Sequence, residues 1–341
     1  SAEDTKAAYR FMQQGKHIGK VVVNMTQRPS DIRNGEYLPL QLDPRGTYWL
    51  AGGMGGVGLE IAKWMAGRGA KSLVLSGRSG VPSAAARRVI SELEAAGTRV
   101  SVLPADITRR EDVRRVLAEI DNGLPPLRGV IHTAMVLEDK LLVDLDRETL
   151  ERVLRPKVLG GWNLHCETLG RDLDCFVLFS SLSSVFGHAG QANYSAANAL
   201  LDSLAYHRRA QGLAATVMNW GHLGEVGYLA EREQLGQRLE RQGVLSFTVK
   251  QATDCLEYAL QTRALQLSVL KIDWSIWRGL GITNRVSPRF AGLLRQSSAA
   301  EFNSSDLPTA QCLRAATAEQ RPLLVERLLR SKAGSLLGMA A

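Results

Sequence analysis

The chain has 341 residues, of which 45% are hydrophobic and 22% are charged, as is ordinary for a globular protein. It contains no apolar run near the roughly 20 residues that a membrane-spanning helix needs, and no signal peptide, so we expect a cytoplasmic protein. The net charge of +8 is spread over pairs such as Arg87-Arg88 and Arg208-Arg209, with acidic residues nearby. This pattern favours solvated helix faces over a nucleic-acid surface. The four cysteines lie far apart, which predicts reduced thiols and no metal site.

Short apolar runs alternate with amphipathic stretches from residue 46 to residue 273. Repeated βα units of this kind predict an α/β fold, a Rossmann-like doubly wound parallel sheet of about seven strands with helices on both faces. The predicted strands are Tyr48–Ala51, Ser72–Ser76, Val100–Pro104, Gly129–Thr133, Cys175–Ser180, Thr216–Trp220 and Leu267–Ile272. The predicted helices include Leu59–Arg68, Ala84–Ala96 and Ala196–Gln211.

The two ends of the chain depart from this alternation. Residues 1–25 are interpreted as a short helix and a strand, and residues 26–45 as a linker. The catalytic domain is assigned to residues 46–290, and a second linker to residues 291–319. Residues 320–341 form one further amphipathic pattern, typical of a helix.

A glycine-rich stretch, "AGGMGGVGLE", joins the first predicted strand to the first predicted helix. Glycines at this junction let the backbone turn tightly and approach a pyrophosphate, which the free N–H groups of a helix N-terminus attract. The pattern predicts a dinucleotide site, whose loop residues are Gly52, Gly53, Met54, Gly55, Gly56, Val57 and Gly58.

The ends of the next strands indicate which dinucleotide binds. NAD sites usually carry an acidic residue after the second strand, whereas this chain has Ser76 and Arg78, which suit the 2′-phosphate of NADPH. The alternative is that Arg78 is an ordinary solvent-facing loop residue. Four further residues at strand ends are assigned to the cofactor site: Asp106, Ile107, Thr133 and Ala134.

The segment "FSSLSSVFGHAGQANYSAAN" raises a question of catalysis. A tyrosine that protonates a reduced carbonyl needs a nearby ammonium group to favour the phenolate, and a lysine four residues further along a helix commonly supplies it. Here Asn198 occupies that position, after Tyr194. Either the catalytic group is broken, or the lysine comes from elsewhere in the chain. Ser181, 13 residues before the tyrosine, could bind the carbonyl oxygen.

In these motifs the chain resembles the ketoreductase domains of modular polyketide synthases, relatives of those of animal-type fatty acid synthases. Those domains are short-chain dehydrogenases/reductases in which the lysine and the asparagine have exchanged positions. The resemblance covers roughly residues 46–290, and "RPKVLGGWNLH" supplies Lys157. It implies that Tyr194 donates the proton, Ser181 holds the carbonyl, Lys157 tunes the phenol and Asn198 orders a proton relay.

The resemblance also implies a substrate and partners. It implies NADPH-dependent reduction of a 3-oxoacyl thioester that an acyl carrier protein presents on its phosphopantetheine arm. Residues 1–25 resemble the end of an enoylreductase domain, and residues 320–341 resemble the first helix of an acyl carrier protein. The other implied partner is the structural half of the ketoreductase, within a homodimeric synthase; the fragment alone could be monomeric. The alternatives are a non-catalytic nucleotide-binding scaffold domain, and an epimerase or stand-alone alcohol dehydrogenase.

Two further expectations concern substrate binding. The segment after the sixth strand, residues 221–243, is expected to form a mobile lid. Family members of one stereochemical type carry Leu-Asp-Asp after the fourth strand, and the other type has a tryptophan eight residues before the tyrosine. This chain has Leu137-Glu138-Asp139, and Phe186 at the tryptophan position. The resemblance therefore implies the B-type outcome, a D-configured hydroxyl, although Asp139 could instead cap the following helix.

Overall fold

The computed structural model describes residues 39–226, 233–241 and 243–273, and the single residues 276, 317, 321 and 325. The chain divides into two units, residues 1–40 and residues 41–341, and the account below concerns the second. The sequence-based interpretations of residues 1–25, of residues 26–38, and of most of residues 274–341 lie outside the described residues.

Seven parallel strands form the central sheet. They are β1 (Thr47–Ala51), β2 (Ser72–Gly77), β3 (Arg99–Pro104), β4 (Leu127–His132), β5 (Cys175–Ser181), β6 (Thr216–Trp220) and β8 (Gln266–Val269). Their order in the sheet is β3-β2-β1-β4-β5-β6-β8. All five residues of β1 are buried, because helices cover both faces of the sheet. The strand order reverses between β1 and β4, and a crevice for ligands opens at such a reversal, beyond the carboxyl ends of the strands.

Eight α-helices accompany the strands in the described part of the chain. Side-chain caps begin three of them: Ser83 accepts from the N–H of Ala86, Asp146 from that of Thr149, and Thr248 forms a capping box with Gln251. The helices are α1 (Gly56–Gly67), α2 (Ala84–Ala95), α3 (Arg110–Gly123), α4 (Arg147–Glu167), α5 (Ser183–Phe186), α6 (Ala192–Ala210), α7 (Glu233–Arg241) and α8 (Val249–Gln261).

The predicted fold class is confirmed, with differences at element boundaries. Helix α1 begins within the glycine run, three residues before the predicted Leu59, and α6 begins at Ala192 rather than Ala196. Tyr194 therefore lies inside the first turn of α6. The prediction of one strand from Leu267 to Ile272 was wrong, because the chain leaves the sheet after Val269.

Two short strands form a second sheet that the sequence did not predict. Strand β9 (Lys271–Ile272) pairs antiparallel with β7 (Val244–Leu245). Helix α7 lies within residues 221–243, so the expected lid segment contains a regular helix in its described part. No helix among the described residues is long and apolar enough to cross a membrane.

Candidate active site

The glycine-rich loop has no room for side chains at three positions. Gly52 has a φ of +86°, in the left-handed region, and a Cβ there would lie 2.6 Å from the backbone nitrogen of Ala134. A Cβ on Gly53 would lie 2.8 Å from the Leu50 carbonyl oxygen, and one on Gly58 would lie 2.6 Å from the Gly53 Cα. Glycine is therefore required by contact between backbone segments, as the dinucleotide fingerprint demands.

The N-terminus of α1 is prepared for an anion. Gly55 is the N-cap, no side chain caps the helix, and no acidic residue lies in its first turn. The first N–H groups of α1 are thus left for a ligand, and the helix dipole favours a negative one. A cleft of about 610 Å³ adjoins them, and its lining residues are Gly52, Met54, Gly55, Ser76, Gly77, Arg78 and Ser79. A nucleotide diphosphate fits this lining, because Gly55 at the N-terminus of α1 is exposed and lines the cleft.

The two residues assigned to a 2′-phosphate differ in their surroundings. Arg78 is exposed in the turn after β2 and lines the cleft. Ser76 is fully buried, and its hydroxyl oxygen accepts a hydrogen bond from the Trp49 indole nitrogen at 2.8 Å. This hydrogen bond points the Ser76 side chain into the core. Ser76 still lines the cleft together with Arg78 and Ser79, and the contact of its hydroxyl with a 2′-phosphate stays a prediction.

Other assigned cofactor residues shape the backbone at the strand ends. Thr133 and Ala134 both donate their N–H groups to the Ala51 carbonyl, at 2.9 and 3.1 Å, which joins the ends of β1 and β4. Asp106 accepts a hydrogen bond from the Thr108 N–H at 3.0 Å. The assigned Met54 lines the cleft, Val57 is half-buried in α1, and Ile107 is buried. The positions agree with a cofactor crevice, and their contacts with a cofactor stay a prediction.

Lys157 and Tyr194 lie close together although 37 positions separate them in the sequence. Lys157 projects from the middle of α4, and its Nζ lies 5.6 Å from the centre of the Tyr194 ring. The ammonium donates a hydrogen bond of 2.7 Å to the Phe179 carbonyl at the end of β5. Packing of α4 against α6 therefore brings a lysine to the tyrosine, as the rearranged catalytic group requires.

Ser181 and Asn198 both interact with the same tyrosine. Ser181 ends β5, and its hydroxyl oxygen accepts a hydrogen bond from the Ser183 N–H at 3.1 Å. The Asn198 amide donates to the Tyr194 carbonyl at 2.8 Å, one turn earlier in α6. Hydrogen bonds with both side chains lower the pKa of Tyr194, although burial has the larger effect and raises it to about 12. All four predicted catalytic residues thus meet at the crevice.

Burial strongly affects the pKa values of Lys157 and of the neighbouring His132. Burial lowers the pKa of Lys157 to about 7, while the negative charge of Asp202 raises it. His132, at the end of β4, is also buried, and burial together with the Lys157 charge lowers its pKa to about 3. At neutral pH the imidazole is therefore uncharged, and the lysine is divided between its two forms.

The residues assigned to stereocontrol lie in two segments that contact each other. Asp139 is exposed and accepts two hydrogen bonds from the Gln191 amide, at 3.0 and 3.2 Å. The Asn193 amide donates to the Glu138 carbonyl at 2.9 Å. Asp139 therefore holds the segment before the tyrosine and does not cap a helix; the cap of α4 is Asp146. Leu137 and Phe186 are both half-buried.

Sequence reasoning missed the polar residues that support these groups. Gln191 and Asn193 precede Tyr194 by three residues and one, yet nothing in the sequence shows which segment they contact. Asp202 carried one available signal, because it follows Tyr194 and Asn198 at the same four-residue interval. Among the described residues, no group of three or more metal-binding side chains is placed to hold an ion.

The parallel sheet, the glycine loop and the Tyr-Ser-Lys-Asn group define a reductase of the short-chain dehydrogenase/reductase type. Residues 46–225 match the family model described as the KR domain. The chain therefore belongs to the ketoreductase domain family of polyketide synthases.

Curated relatives and solved structures agree with this assignment. The chain is 38% identical over 260 residues to a highly reducing polyketide synthase, ALT1, of Alternaria alternata, and the match covers 76% of the chain and 10% of that protein. It is 37% identical over 278 residues to a phenolphthiocerol/phthiocerol polyketide synthase of Mycobacterium tuberculosis, with 81% and 12% covered. The chain thus spans about a tenth of the length of these relatives.

Among solved structures, the chain is similar to one titled as A-type ketoreductases from a modular polyketide synthase, with 36% identity and a TM-score of 0.70. That match covers 74% of this chain and 53% of the other. It is also similar to the ketoreductase from the first module of phoslactomycin biosynthesis in a Streptomyces species, with 32% identity and a TM-score of 0.71. That second match covers 77% of this chain and 60% of the other.

Proposed function

We propose that the chain catalyses the NADPH-dependent reduction of a 3-oxoacyl thioester to the 3-hydroxyacyl thioester. The carrying observation is the approach of the Lys157 Nζ to the Tyr194 ring, 5.6 Å from its centre, in a crevice that also holds Ser181 and Asn198. A scaffold domain has no need for this arrangement. Burying an ammonium group is costly, and a group whose pKa burial shifts this far is typical of functional sites.

Each of the four side chains has a role in the proposed reaction. When bound, the nicotinamide supplies the hydride that reduces the carbonyl carbon. Tyr194 protonates the carbonyl oxygen as the alkoxide forms, and Ser181 donates a hydrogen bond to the same oxygen. Asn198, one helical turn after the tyrosine, orders the water that returns a proton to the phenol.

The charge of Lys157 responds to the proton transfer. Without ligand, Tyr194 keeps its proton, because burial raises the pKa of the phenol to about 12. A phenol that gives up its proton becomes negative, and that charge favours the ammonium form of the lysine beside it. With a lysine pKa of about 7, only a small change in surroundings is needed to protonate it fully. The pair would thus stabilise the phenolate at the moment it forms.

The choice of NADPH rests on the turn after β2. Arg78 and Ser79 line the cleft there, and Gly77 lies at the strand end where NAD-binding proteins usually carry an acid. A guanidinium offers charge and paired donors to a phosphate, whereas an acidic side chain would repel it. The exposed Arg78 is therefore proposed to meet the 2′-phosphate.

The relatives are large polyketide synthases, which supports a proposal for the substrate carrier and the partners. We propose that the acyl chain arrives on the phosphopantetheine arm of an acyl carrier protein. Neighbouring synthase domains, including an enoylreductase and a structural ketoreductase half, are the proposed partners, in a homodimeric synthase. The D-configured product is proposed because Leu137 and Asp139 are present and Phe186 replaces the tryptophan.

Oxidation of NADPH with a β-ketoacyl thioester tests the proposal, with Tyr194→Phe against wild type. The phenylalanine removes only the proton donor, and we expect kcat to fall by about 10²- to 10⁴-fold. The matched control is Tyr258→Phe, an exposed tyrosine on α8, which should leave kcat unchanged. No turnover by folded wild-type protein that binds NADPH would favour the scaffold alternative. Equal turnover by wild type and Tyr194→Phe would remove the tyrosine from its role.

A further inference from the structure

A network of polar side chains lies behind the catalytic group and is centred on Asp202. Asp202 follows Asn198 by one helical turn and Tyr194 by two, so the three project from one side of α6. No ion pair joins Asp202 to a cation in the described part of the chain. Its half-buried carboxylate is engaged by hydrogen bonds instead.

The carboxylate connects three elements of the fold. Its Oδ2 accepts a hydrogen bond of 2.7 Å from the hydroxyl of Ser184, in α5. Its Oδ1 accepts one of 2.9 Å from the amide of Asn219, in β6. Ser184 also lies 2.8 Å, through its hydroxyl, from the carbonyl oxygen of Ser181. Asp202 therefore links three parts of the fold through hydrogen bonds: its own helix α6, strand β6, and the turn after Ser181, the proposed carbonyl-binding serine.

The same network reaches the backbone of Asn198. The fully buried Asn219 amide lies 3.1 Å from the Ser180 hydroxyl, which donates to the Asn198 carbonyl at 3.3 Å. On its other side, the Asn219 carbonyl oxygen accepts from the Gln266 amide in β8 at 2.9 Å. Hydrogen bonds thus hold both the oxygen and the nitrogen of the Asn219 side-chain amide. This fixes the orientation of the NH₂ group that donates to Asp202.

The network requires an acceptor at position 202. A carboxylate accepts on both oxygens, and hydrogen bonds to a charged acceptor are the stronger kind. An asparagine there could keep its oxygen toward the Asn219 amide only by turning its NH₂ group toward the Ser184 hydroxyl. That hydroxyl would then accept from position 202 and donate to the Ser181 carbonyl, so its hydrogen bond to a charged acceptor would be lost. Breaking one such contact in a half-buried site leaves a polar group unpaired, which costs stability.

We infer that Asp202 is a positioning residue of the reductase, which holds the Ser181 turn and the Asn198 segment of α6 in the reactive arrangement. The inference rests on the proposed function, because these are its carbonyl-binding and relay residues. Asp202 touches neither the substrate nor the tyrosine hydroxyl in this assignment, and it acts through Ser184 and Asn219.

The negative charge has a second consequence at Lys157. Three side-chain groups and one carbonyl face that lysine: His132 from β4, Tyr194 and Asp202 from α6, and the Phe179 carbonyl from β5. His132 and Tyr194 are uncharged at neutral pH, since the pKa of the imidazole is about 3 and that of the phenol about 12. Asp202 is therefore the group whose charge favours the ammonium form.

Four variants of the full chain test the inference: Asp202→Asn, Asp202→Glu, Ser184→Ala and, as a matched control, Asp254→Asn. Asp254 is exposed on α8 and pairs with Lys250, so its loss removes one acidic charge outside the network. Steady-state kinetics gives kcat and KM, and NADPH fluorescence gives the dissociation constant. The ¹³Cε resonance of Lys157, assigned by its loss in Lys157→Arg, reports the charge of the lysine without any turnover.

For Asp202→Asn we expect kcat to fall by about 10- to 100-fold, while NADPH binding changes by less than about two-fold. The Lys157 titration should move toward acid by about half a pH unit or more, because a stabilising negative charge has been lost. Ser184→Ala should lower kcat by about 3- to 10-fold and leave the pKa of Lys157 unchanged. In Asp202→Glu the pKa of Lys157 should return most of the way to its wild-type value, because the negative charge is kept. The control Asp254→Asn should match the wild type in kcat, in NADPH binding and in the Lys157 titration.

The inference would be overturned if Asp202→Asn had the same kcat as the wild type and the same pKa at Lys157. If Asp202→Asn does not fold, the inference is tested with Ser184→Ala and Asp202→Glu instead. A kcat of Ser184→Ala equal to that of the wild type would exclude positioning through α5. Failure of the proposed function has a different signature, which is no reduction by the wild type. In that case amide exchange at Val185 and Phe186, which donate to the Leu182 carbonyl, should still rise in Asp202→Asn. Unchanged exchange there would overturn positioning independently of activity.

Discussion

Lys157 is expected to make the protein less stable near neutral pH than at mildly alkaline pH. Burial lowers its folded-state pKa from 10.5 to about 7, so the unfolded chain binds this proton more tightly than the native protein does. Stability therefore rises with pH between about 7 and 10.5. Below pH 7 the buried ammonium group lowers the free energy of unfolding by its full amount. Above pH 10.5 the lysine is uncharged in both the folded and the unfolded state, and this destabilisation is absent.

The magnitude follows from the two pKa values. One pKa unit corresponds to about 1.4 kcal/mol, so raising the pH from 6.5 to 8.5 should add about 2 kcal/mol to the free energy of unfolding. The side chain is 2% exposed, so solvent screening reduces this figure little. Groups such as Cys175, whose thiol pKa burial raises to about 12, contribute only at higher pH.

The test is urea unfolding of wild type and Lys157→Met at several pH values in this window. Methionine keeps an unbranched side chain as far as Cε and removes the charged amino group, together with its hydrogen bond to Phe179. Wild type should gain about 2 kcal/mol more than the variant over this window, since the buried histidines contribute to both proteins, while the variant loses reductase activity. Parallel pH dependence of the two proteins would refute the argument that the buried ammonium group destabilises the fold.

Three further predictions concern the cofactor and the product. Arg78→Ala should weaken NADPH binding by at least about ten-fold and NADH binding by less than two-fold, as measured by fluorescence titration, because only NADPH carries the 2′-phosphate. Gly58→Ala should destabilise the fold by about 1–3 kcal/mol in thermal unfolding and weaken both nucleotides, because its Cβ would meet the Gly53 backbone at 2.6 Å. Reduction of a β-ketoacyl thioester should yield mainly the D alcohol by chiral chromatography, and Asp139→Ala, which loses the contact with Gln191, should lower that preference.

Each of these predictions has a contrary outcome. Equal losses of NADPH and NADH affinity would make Arg78 merely structural, and Arg88→Ala, an exposed helix residue paired with Glu92, supplies its control. A Gly58→Ala protein as stable as wild type would show that the loop can shift to admit a methyl group. A predominant L alcohol from the wild type would overturn the stereochemical assignment.

Much of the fold could be predicted, because its signals are local. Strands buried on both faces are continuous apolar runs, and six of the seven predicted strands agree with the structure within two residues at each end. The ends of helices and strands were harder to predict where small residues allow several backbone conformations. Helix α1 begins inside the glycine run, and β7 and β9 are two residues each, too short for any periodic pattern.

Ser76 shows why side-chain direction was not predictable. In a strand with one solvent-facing side, alternation identifies the inward residues, but β2 has five consecutive buried residues and no such pattern. The Ser76 hydroxyl turned out to face Trp49 of the neighbouring strand, 27 residues away in sequence. Its neighbour Arg78 lies beyond the strand, where it is exposed and lines the cleft, and its contact with a phosphate stays a prediction.

The sequence by itself determined most of the elements, the glycine turn and the four-residue intervals between Tyr194, Asn198 and Asp202, since all of these depend on neighbours within a few residues. That Tyr194 lies inside the helix was shown by the structure, because the predicted helix began at Ala196. Only the tertiary structure decided that Lys157 reaches the tyrosine, and that its ammonium group is buried with a pKa near 7. It likewise decided that Asp202 meets Ser184 and Asn219. The physical reason is that burial and the electrostatic field at an atom are sums over groups from distant segments, and helix packing fixes which segments contribute.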